Sequence, residues 1–365
     1  WRGLVRALIF GLASNFGGGV SAGELWVVDP HGLSVPELAL LASLQGNANR
    51  TDAALWVRGG GSNAWVLEEL REEGWSLKTN VDLWAAVEKF RPQVRGYLVC
   101  DVAEASLNVA TSLAGPRRAV IADVSLRHRL SALGWPELLD LRGMNESVAW
   151  NSFRKEFVRG MAIHQPVAKP LHLRDFAVAR DAFTFFEVPA ADRTRWIREL
   201  GSAVEVFGWG VAEDRFVHEV SLGGGMVIPS DWALNLSALQ HLKTTIPARP
   251  RRSEPKPPLP GERFVTFVIT DGDNLQWLLN GFVESKGFWA SAERGRFPVS
   301  WELAPALARL APRVLNRIYR TATTNDDFIA GPSGAGYYFP SDAPDAAGLA
   351  EAGERAMSGS QLEIS

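Results

Sequence analysis

Short apolar runs alternate with longer amphipathic runs along the chain from Glu24 onward. Runs of four or five apolar residues are typical of buried strands, whereas apolar residues spaced three or four apart indicate helices. In the first part of the chain, strands are expected at residues 25–28, 54–57, 96–100 and 119–122. Helices are expected at residues 34–44, 64–73, 82–90, 106–113 and 126–133. This alternation predicts the α/β class, with parallel sheets covered by helices.

A third segment continues the alternation less regularly. Helices are expected at residues 147–160 and 193–200, an apolar and aromatic-rich stretch at 174–186, and strands at 203–207, 218–220 and 226–228. From Pro247 to Pro260 the chain carries so many prolines that it can form neither a helix nor a central strand. This stretch predicts a stiff Pro-rich linker.

The chain after the linker begins with a run of β-branched and aromatic residues at 263–270, which is typical of a strand buried on both faces. Two further strands are expected at residues 298–302 and 326–330, and helices at 275–282 and 305–315. The residues beyond Pro340 are rich in Ala, Gly and Ser. That composition predicts poor order.

The first residues resemble a targeting signal. Arg2 and Arg6 accompany an apolar run at residues 4–13, and Val20-Ser21-Ala22 fits a small-residue cleavage site. The pattern predicts a secreted, periplasmic or cell-surface protein; the alternative is an N-terminal helix packed on the first domain. No later apolar run reaches about 18 uncharged residues, so no membrane span is predicted. The predicted organisation is a signal peptide at 1–22, N-terminal α/β domains at 23–76, 77–145 and 146–247, the linker at 248–260, and a C-terminal domain at 261–365.

Composition narrows the classes of partner. The formal net charge is −3, with Lys and Arg spread along the chain, and this argues against nucleic acid. Cys100 is the only cysteine, and the six histidines lack ligand-like spacing, so no metal site built from Cys or His and no cofactor is predicted. Fourteen tryptophans are available to fill cores or to stack on sugar rings. The oligomeric state is left open.

The strongest chemical signal is Asp271-Gly-Asp-Asn274, directly after the expected strand at 263–270. Parallel α/β folds place catalytic groups at the carboxyl ends of their strands. Asp271 and Asp273 are therefore candidates for acid, base or nucleophile, or for ligands of a hard cation. The alternative is a turn in which Asp273 or Asn274 caps the next helix. Asp29 and Asp101 also end strands, but cap or turn roles are favoured for both.

Two more strand ends are expected to converge on the same place. Trp301 and Glu302 end the strand at 298–302, and a loop at 331–340 follows the strand at 326–330. That loop joins flexible glycines to broad aromatic rings, so it suits a shaped binding surface or, alternatively, a tight turn filling a core. In the third segment, Trp209, Trp232 and Asn235 are candidates for a shared cleft or for interdomain packing.

The sequence Gly334-Ala-Gly-Tyr-Tyr-Phe-Pro340 resembles the naming motif of the GxGYxYP family, whose members are proposed glycoside hydrolases. Further stretches that resemble the family's pattern lie at residues 44–50, 107–115, 140–143, 230–237 and 270–274. The resemblance implies small N-terminal α/β domains followed by a TIM-like barrel. Phe339 departs from the motif, which has tyrosine there. About 105 residues follow Pro260, whereas a complete barrel needs about 250, so a truncated barrel is expected.

The leading hypothesis is hydrolysis of an unidentified glycan by two carboxyl groups. Asp271 or Asp273 is expected as one partner, and Glu302 or a group on a strand beyond this sequence as the second, so the fragment is expected to be inactive alone. The residues expected to bind sugar are Asn274, Trp277, Trp301, Gly334, Gly336, Tyr337 and Tyr338. The alternatives are a metal-assisted carbohydrate deacetylase and a secreted carbohydrate-binding or scaffold protein without turnover.

Overall fold

The structure, a computed structural model, describes residues 23–250 and 259–363. The predicted signal peptide and most of the predicted linker lie outside the described residues. Among the described residues, no helix combines the length and the apolar character needed to cross a membrane. The α/β class with several parallel sheets is confirmed.

The first sheet has three parallel strands in the order β2-β1-β3. Its strands are β1 (Glu24–Val28), β2 (Leu55–Val57) and β3 (Ser76–Val81), and its helices are α1 (Val35–Ala48), α2 (Ser62–Glu72) and α3 (Leu83–Lys89). Strand β3 was not expected, because its largely exposed residues lack an apolar run. It pairs with β1 and crosses the domain boundary expected after residue 76. The first sheet therefore extends further along the chain than predicted.

The second sheet has the order β5-β4-β6. Its strands are β4 (Gly96–Cys100), β5 (Ala119–Asp123) and β6 (Glu137–Asp140), and its helices are α4 (Ser106–Ala114) and α5 (Arg127–Ala132). Cys100 is buried in the central strand β4, as the apolar run around it indicated. Asp101 accepts a hydrogen bond from the Ala103 backbone N–H at 3.0 Å, so it stabilises a turn.

The third sheet has four parallel strands in the order β10-β9-β7-β8. Its strands are β7 (Met161–His164), β8 (Phe183–Phe185), β9 (Val204–Gly208) and β10 (Gly225–Ile228). Its helices are α6 (Glu146–Phe153), α7 (Arg174–Ala179), α8 (Ala190–Leu200), α9 (Glu213–Leu222) and α10 (Leu236–Leu239). The strand expected at 218–220 is wrong, because these residues lie in α9. Phe216 and Val220 are buried on one face of that helix, one helical turn apart.

The C-terminal sheet has three parallel strands in the order β11-β12-β13. They are β11 (Val268–Ile269), β12 (Val299–Leu303) and β13 (Asp326–Ala330), and the helices are α11 (Leu275–Trp277), α12 (Leu307–Leu310), α13 (Pro312–Arg320) and α14 (Ala346–Ser360). Helix α11 continues to Phe282 as a wider turn. Barrel closure is not seen among the described residues.

Three expectations for this part are corrected. The strand at 263–270 is not fully buried: only two residues pair, and Phe264, Val265 and Phe267 are exposed, because β11 is the sheet's edge strand. The helix at 305–315 is interrupted before Pro312, which cannot continue a helix from the preceding turn. The chain beyond Pro340 forms the ordered helix α14, whose Leu349 is buried.

Candidate functional site

A cleft of about 510 Å³ lies between the carboxyl ends of the C-terminal strands and those of β9 and β10 in the third sheet. Four carboxylic residues line it: Asp271, Asp273, Glu302 and Glu213. No lysine, arginine or histidine is among the lining residues that the structure describes. The strand ends predicted to converge do so here, because β11, β12 and β13 are parallel neighbours.

The turn after β11 places two of the carboxyl groups. Asp271 has a positive φ of 76°, which is uncommon for a residue with a side chain. The Asn274 side chain caps α11 by accepting from the Trp277 backbone N–H, so the cap interpretation holds for Asn274, which also lines the cleft. Gly272 packs so tightly that an added Cβ would stand 1.6 Å from the Glu302 carbonyl oxygen. The turn therefore requires glycine for close approach.

Strand β12 supplies Glu302 but not Trp301. Glu302 lines the cleft with 6% of its surface exposed. Trp301 points to the opposite face, since side chains alternate along a strand. There it packs on Phe282 and Trp289 and donates from Nε1 to Asp326 at 2.8 Å. Trp301 is thus a core residue, and its expected sugar-binding position is corrected.

The buried carboxyl groups have raised pKa values. Burial, followed by the Asp273 carboxylate, raises the pKa of Glu302 to about 7, although backbone N–H groups of Gly272 and Asp271 partly offset the rise. Burial, followed by the Asp271 carboxylate, raises the pKa of Asp273 to about 6. Both values lie near neutrality, where a carboxyl group can exchange protons during a reaction.

The loop after β13 closes against these two groups. A Cβ placed on Gly331 would stand 2.4 Å from Asp273 Cβ and 3.0 Å from Glu302 Oε1. Asp273 and Glu302 therefore approach the same point of the loop backbone. Only glycine fits there without displacing one of them.

The Gly-Tyr part of the loop is attached to the third sheet. Tyr337 exchanges two backbone hydrogen bonds of 2.8 Å with Val227, on the edge strand β10. The Phe339 N–H donates to Ser221 Oγ at 2.9 Å, and the Phe339 ring packs edge-on against Tyr337. These contacts hold the Tyr337 ring at the wall of the cleft.

Four of the expected sugar-binding residues lie elsewhere. Tyr338 is buried in a small apolar cluster with Met226 and Leu349. Gly336 packs on Met226 and Val227, and Gly334 lies beside Met357 of α14. Trp277 packs on Phe282 and Phe288. None of the four lines the cleft, because the three loop residues pack on β10 and α14 and Trp277 packs on other aromatic rings of its own domain.

The sequence did not identify Glu213 or Gln276, and both line the cleft. Glu213 begins α9 in the third segment, and Gln276 lies in α11 of the C-terminal domain. Trp209, one of the candidates for a shared cleft, also lines it. Asn235 is instead fully buried in hydrogen bonds to Val57, Gln45 and Asn63, which anchor the third segment on the first sheet.

The family comparison covers most of the chain. Four models match in order: "GxGYxYP_N 1st domain" at residues 24–92, "GxGYxYP_N second domain" at 94–157, "GxGYxYP third domain" at 159–241 and "GxGYxYP putative glycoside hydrolase C-terminal domain" at 261–359. No curated protein matches the sequence.

A solved structure is also similar. It is described as "a putative hydrolase from Bacteroides thetaiotaomicron VPI-5482" and shares 27% sequence identity with this chain at a TM-score of 0.83. The match covers 93% of this chain and 69% of the other.

Proposed function

The chain belongs to the GxGYxYP family, and from that premise we propose that its cleft hydrolyses a glycosidic bond, with Glu302 and Asp273 as the catalytic pair. The observation that carries the proposal is the meeting of two carboxyl groups, with pKa values of about 7 and about 6, in one cleft. Glycoside hydrolysis needs one carboxyl group protonated and another ionised at the same pH. Two carboxyl groups whose pKa values differ in this way meet that need near neutral pH.

The roles follow from the burial of the two groups. Glu302, with 6% of its surface exposed, is the more buried, and we assign to it the proton that goes to the departing glycosidic oxygen. Asp273 is only partly buried, and as the ionised partner it either attacks the anomeric carbon or takes a proton from the attacking water. Asp271 is the alternative for this second role, since it lines the same cleft and its charge raises the pKa of Asp273.

The surrounding side chains suit a sugar. Tyr337 and Trp209 offer aromatic surface, and Asn274 and Gln276 offer amides that can bind hydroxyl groups. A site at the carboxyl ends of parallel strands is also where a TIM-like barrel carries its active site, and we propose that arrangement for the C-terminal domain. Export through residues 1–22 remains a proposal, and N-terminal sequencing of the mature protein tests it.

The test is a panel of nitrophenyl glycosides and soluble polysaccharides offered to the whole chain. We expect Glu302→Gln and Asp273→Asn each to lower kcat by at least about 10²-fold, the usual lower range for a lost acid or base. Glu284→Gln, an exposed carboxyl group in the same domain, is the matched control.

Three results would count against the assignment. Equal turnover by wild type and both site variants would exclude the carboxyl pair. Binding of a polysaccharide without turnover would favour the carbohydrate-binding alternative. Turnover by no form would refute our proposal for this chain.

A further inference from the structure

A second pocket, of about 350 Å³, lies where the first and third sheets meet. It is bordered by residues that follow four parallel strands: Asp29 after β1, Arg58 after β2, Lys169 and His172 after β7, and Trp232 after β10. Ligands of parallel α/β sheets usually bind at this end of the strands. The pocket therefore has the usual position of a binding site, and the catalytic pair lies outside it.

Trp232 is the aromatic surface of this pocket. Half of it is exposed. Its position is nevertheless set from several sides: its backbone N–H donates to Gln276 Oε1, its carbonyl accepts from Asn280 Nδ2, and the Lys169 ammonium lies 3.9 Å from the ring centroid. The His172 ring packs against the indole edge-on. A fixed, half-exposed indole gives a ligand a large apolar surface that loses little side-chain entropy on binding.

The polar groups of the pocket are mixed in charge. Asp29 and Arg58 form an exposed ion pair at 3.6 Å, and Lys169 pairs with Asp231. The charges of these groups offset one another, so the pocket has no strong preference for an anion or a cation. Carboxylate oxygens and guanidinium N–H groups beside an indole do suit the hydroxyl groups and the apolar ring face of a neutral sugar.

The pocket lies close to the catalytic cleft. Pro229 lines the cleft and Trp232 lines the pocket, and three residues span at most about 11 Å. Gln276 joins them more directly, because it lines the cleft while its side chain binds the Trp232 backbone. These two links place the indole within the length of a short oligosaccharide from the cleft.

We propose that the Trp232 pocket is a distal subsite for an uncharged oligosaccharide or polysaccharide whose scissile bond lies in the catalytic cleft. This proposal rests on the proposed hydrolase function and adds to it that the natural substrate is a chain of several sugars. The pocket binds the part of the chain remote from the bond that is cut. Its contribution is therefore to the affinity for long substrates and leaves the chemistry of short ones unchanged.

The test compares Trp232→Ala with wild type on two kinds of substrate. One is the nitrophenyl monoglycoside that wild type hydrolyses best, and the other is a series of neutral oligosaccharides of the same sugar with increasing length. We expect unchanged kcat/KM on the monoglycoside. On the longest oligosaccharide we expect KM to rise about tenfold, as the loss of one aromatic contact implies.

Two further variants distinguish the loss of a subsite from an effect of any aromatic substitution on the protein. Arg58→Ala, which changes a second lining residue of the pocket, should raise KM for the long substrates in the same way. Phe297→Ala, which removes an aromatic residue of equal 50% exposure outside the pocket, should not. Folding of each variant is checked by thermal unfolding.

The outcomes of the two proposals are distinct. If wild type hydrolyses neither kind of substrate, the hydrolase proposal fails. If wild type is active but its kcat/KM is independent of chain length, or if Trp232→Ala keeps the wild-type dependence, the distal subsite is refuted while the hydrolase proposal stands.

Discussion

Gly331 has no room for a side chain, so its replacement by alanine tests how closely the loop is held against the two carboxyl groups. The backbone of Gly331 lies outside the left-handed region, and the cost of a methyl group there is therefore steric. The new Cβ would stand 2.4 Å from Asp273 Cβ. Ordinary carbon contacts are about 3.5 Å or more, so the loop or Asp273 must move by about 1 Å.

A displacement of this size has two expected consequences. Overpacking of a tight site costs about 1–3 kcal/mol of stability, which thermal unfolding measures. A misplacement of about 1 Å at a catalytic group lowers the rate by about 10²-fold. We therefore expect Gly331→Ala to remain folded at a lower Tm and to lose about 10²-fold in kcat/KM on the best nitrophenyl glycoside.

Gly60→Ala is the matched control. No heavy atom lies within 4 Å of a Cβ placed on Gly60, and its φ is likewise outside the left-handed region. We expect it to keep wild-type activity. If Gly331→Ala kept wild-type kcat/KM and Tm, the close approach of the loop to Asp273 and Glu302 would be refuted.

Three further predictions concern charge in the cleft. Activity requires Asp273 ionised and Glu302 protonated, so kcat/KM should have a bell-shaped pH dependence with its maximum between pH 6 and 7. A plateau that extends above pH 9 would contradict the role of Glu302 as the acid. The folded-state pKa of Asp273 lies above its ordinary value of 3.8, so this group lowers stability as pH rises from about 4 to about 6. Asp273→Asn should therefore have a higher Tm than wild type at pH 8 and a smaller difference at pH 4; a lower Tm at pH 8 would refute this. Because four carboxylic residues line the cleft, glycosides of uronic acids should be hydrolysed more slowly than neutral glycosides at low salt. Glu213→Gln should reduce this difference in rate. Equal rates for the two kinds of substrate would contradict the prediction.

The sequence identified the carboxyl groups of the cleft that follow strands, because the ends of parallel strands meet at one edge of a sheet. Asp271, Asp273 and Glu302 could be placed together on this basis. It did not show which of Trp301 and Glu302 faces the cleft, since adjacent strand residues point to opposite faces and both are largely buried. That choice depends on the packing of the indole on Trp289 and Phe282, which are distant in sequence.

The residues that were missed belong to contacts between domains. Glu213 is one of many exposed acidic residues at helix starts, and no local pattern shows that the C-terminal domain faces it. For the Gly-Tyr motif the error was the opposite one, because residues were assigned to the cleft that do not line it. The motif suggested a binding loop, whereas only Tyr337 of the four motif residues proposed to bind sugar lines the cleft, and Tyr338 fills a core. Composition cannot distinguish an aromatic ring that binds a ligand from one that packs on a neighbouring domain.

The attachment of Tyr337 to Val227 also bears on how the chain folds during synthesis. Strand β10 is an edge strand, and an unpaired edge is a surface on which other chains can add strands and aggregate. The loop that covers this edge is synthesised much later than the strand. A hydrogen bond beside the covered edge joins Ser221 and Phe339, which are 118 residues apart in the sequence. While a ribosome makes those residues, the edge of the third sheet stays uncovered. The motif that forms a wall of the cleft thus also completes the protection of an earlier domain, and a variant that weakens this attachment should aggregate during expression before any loss of activity could be measured.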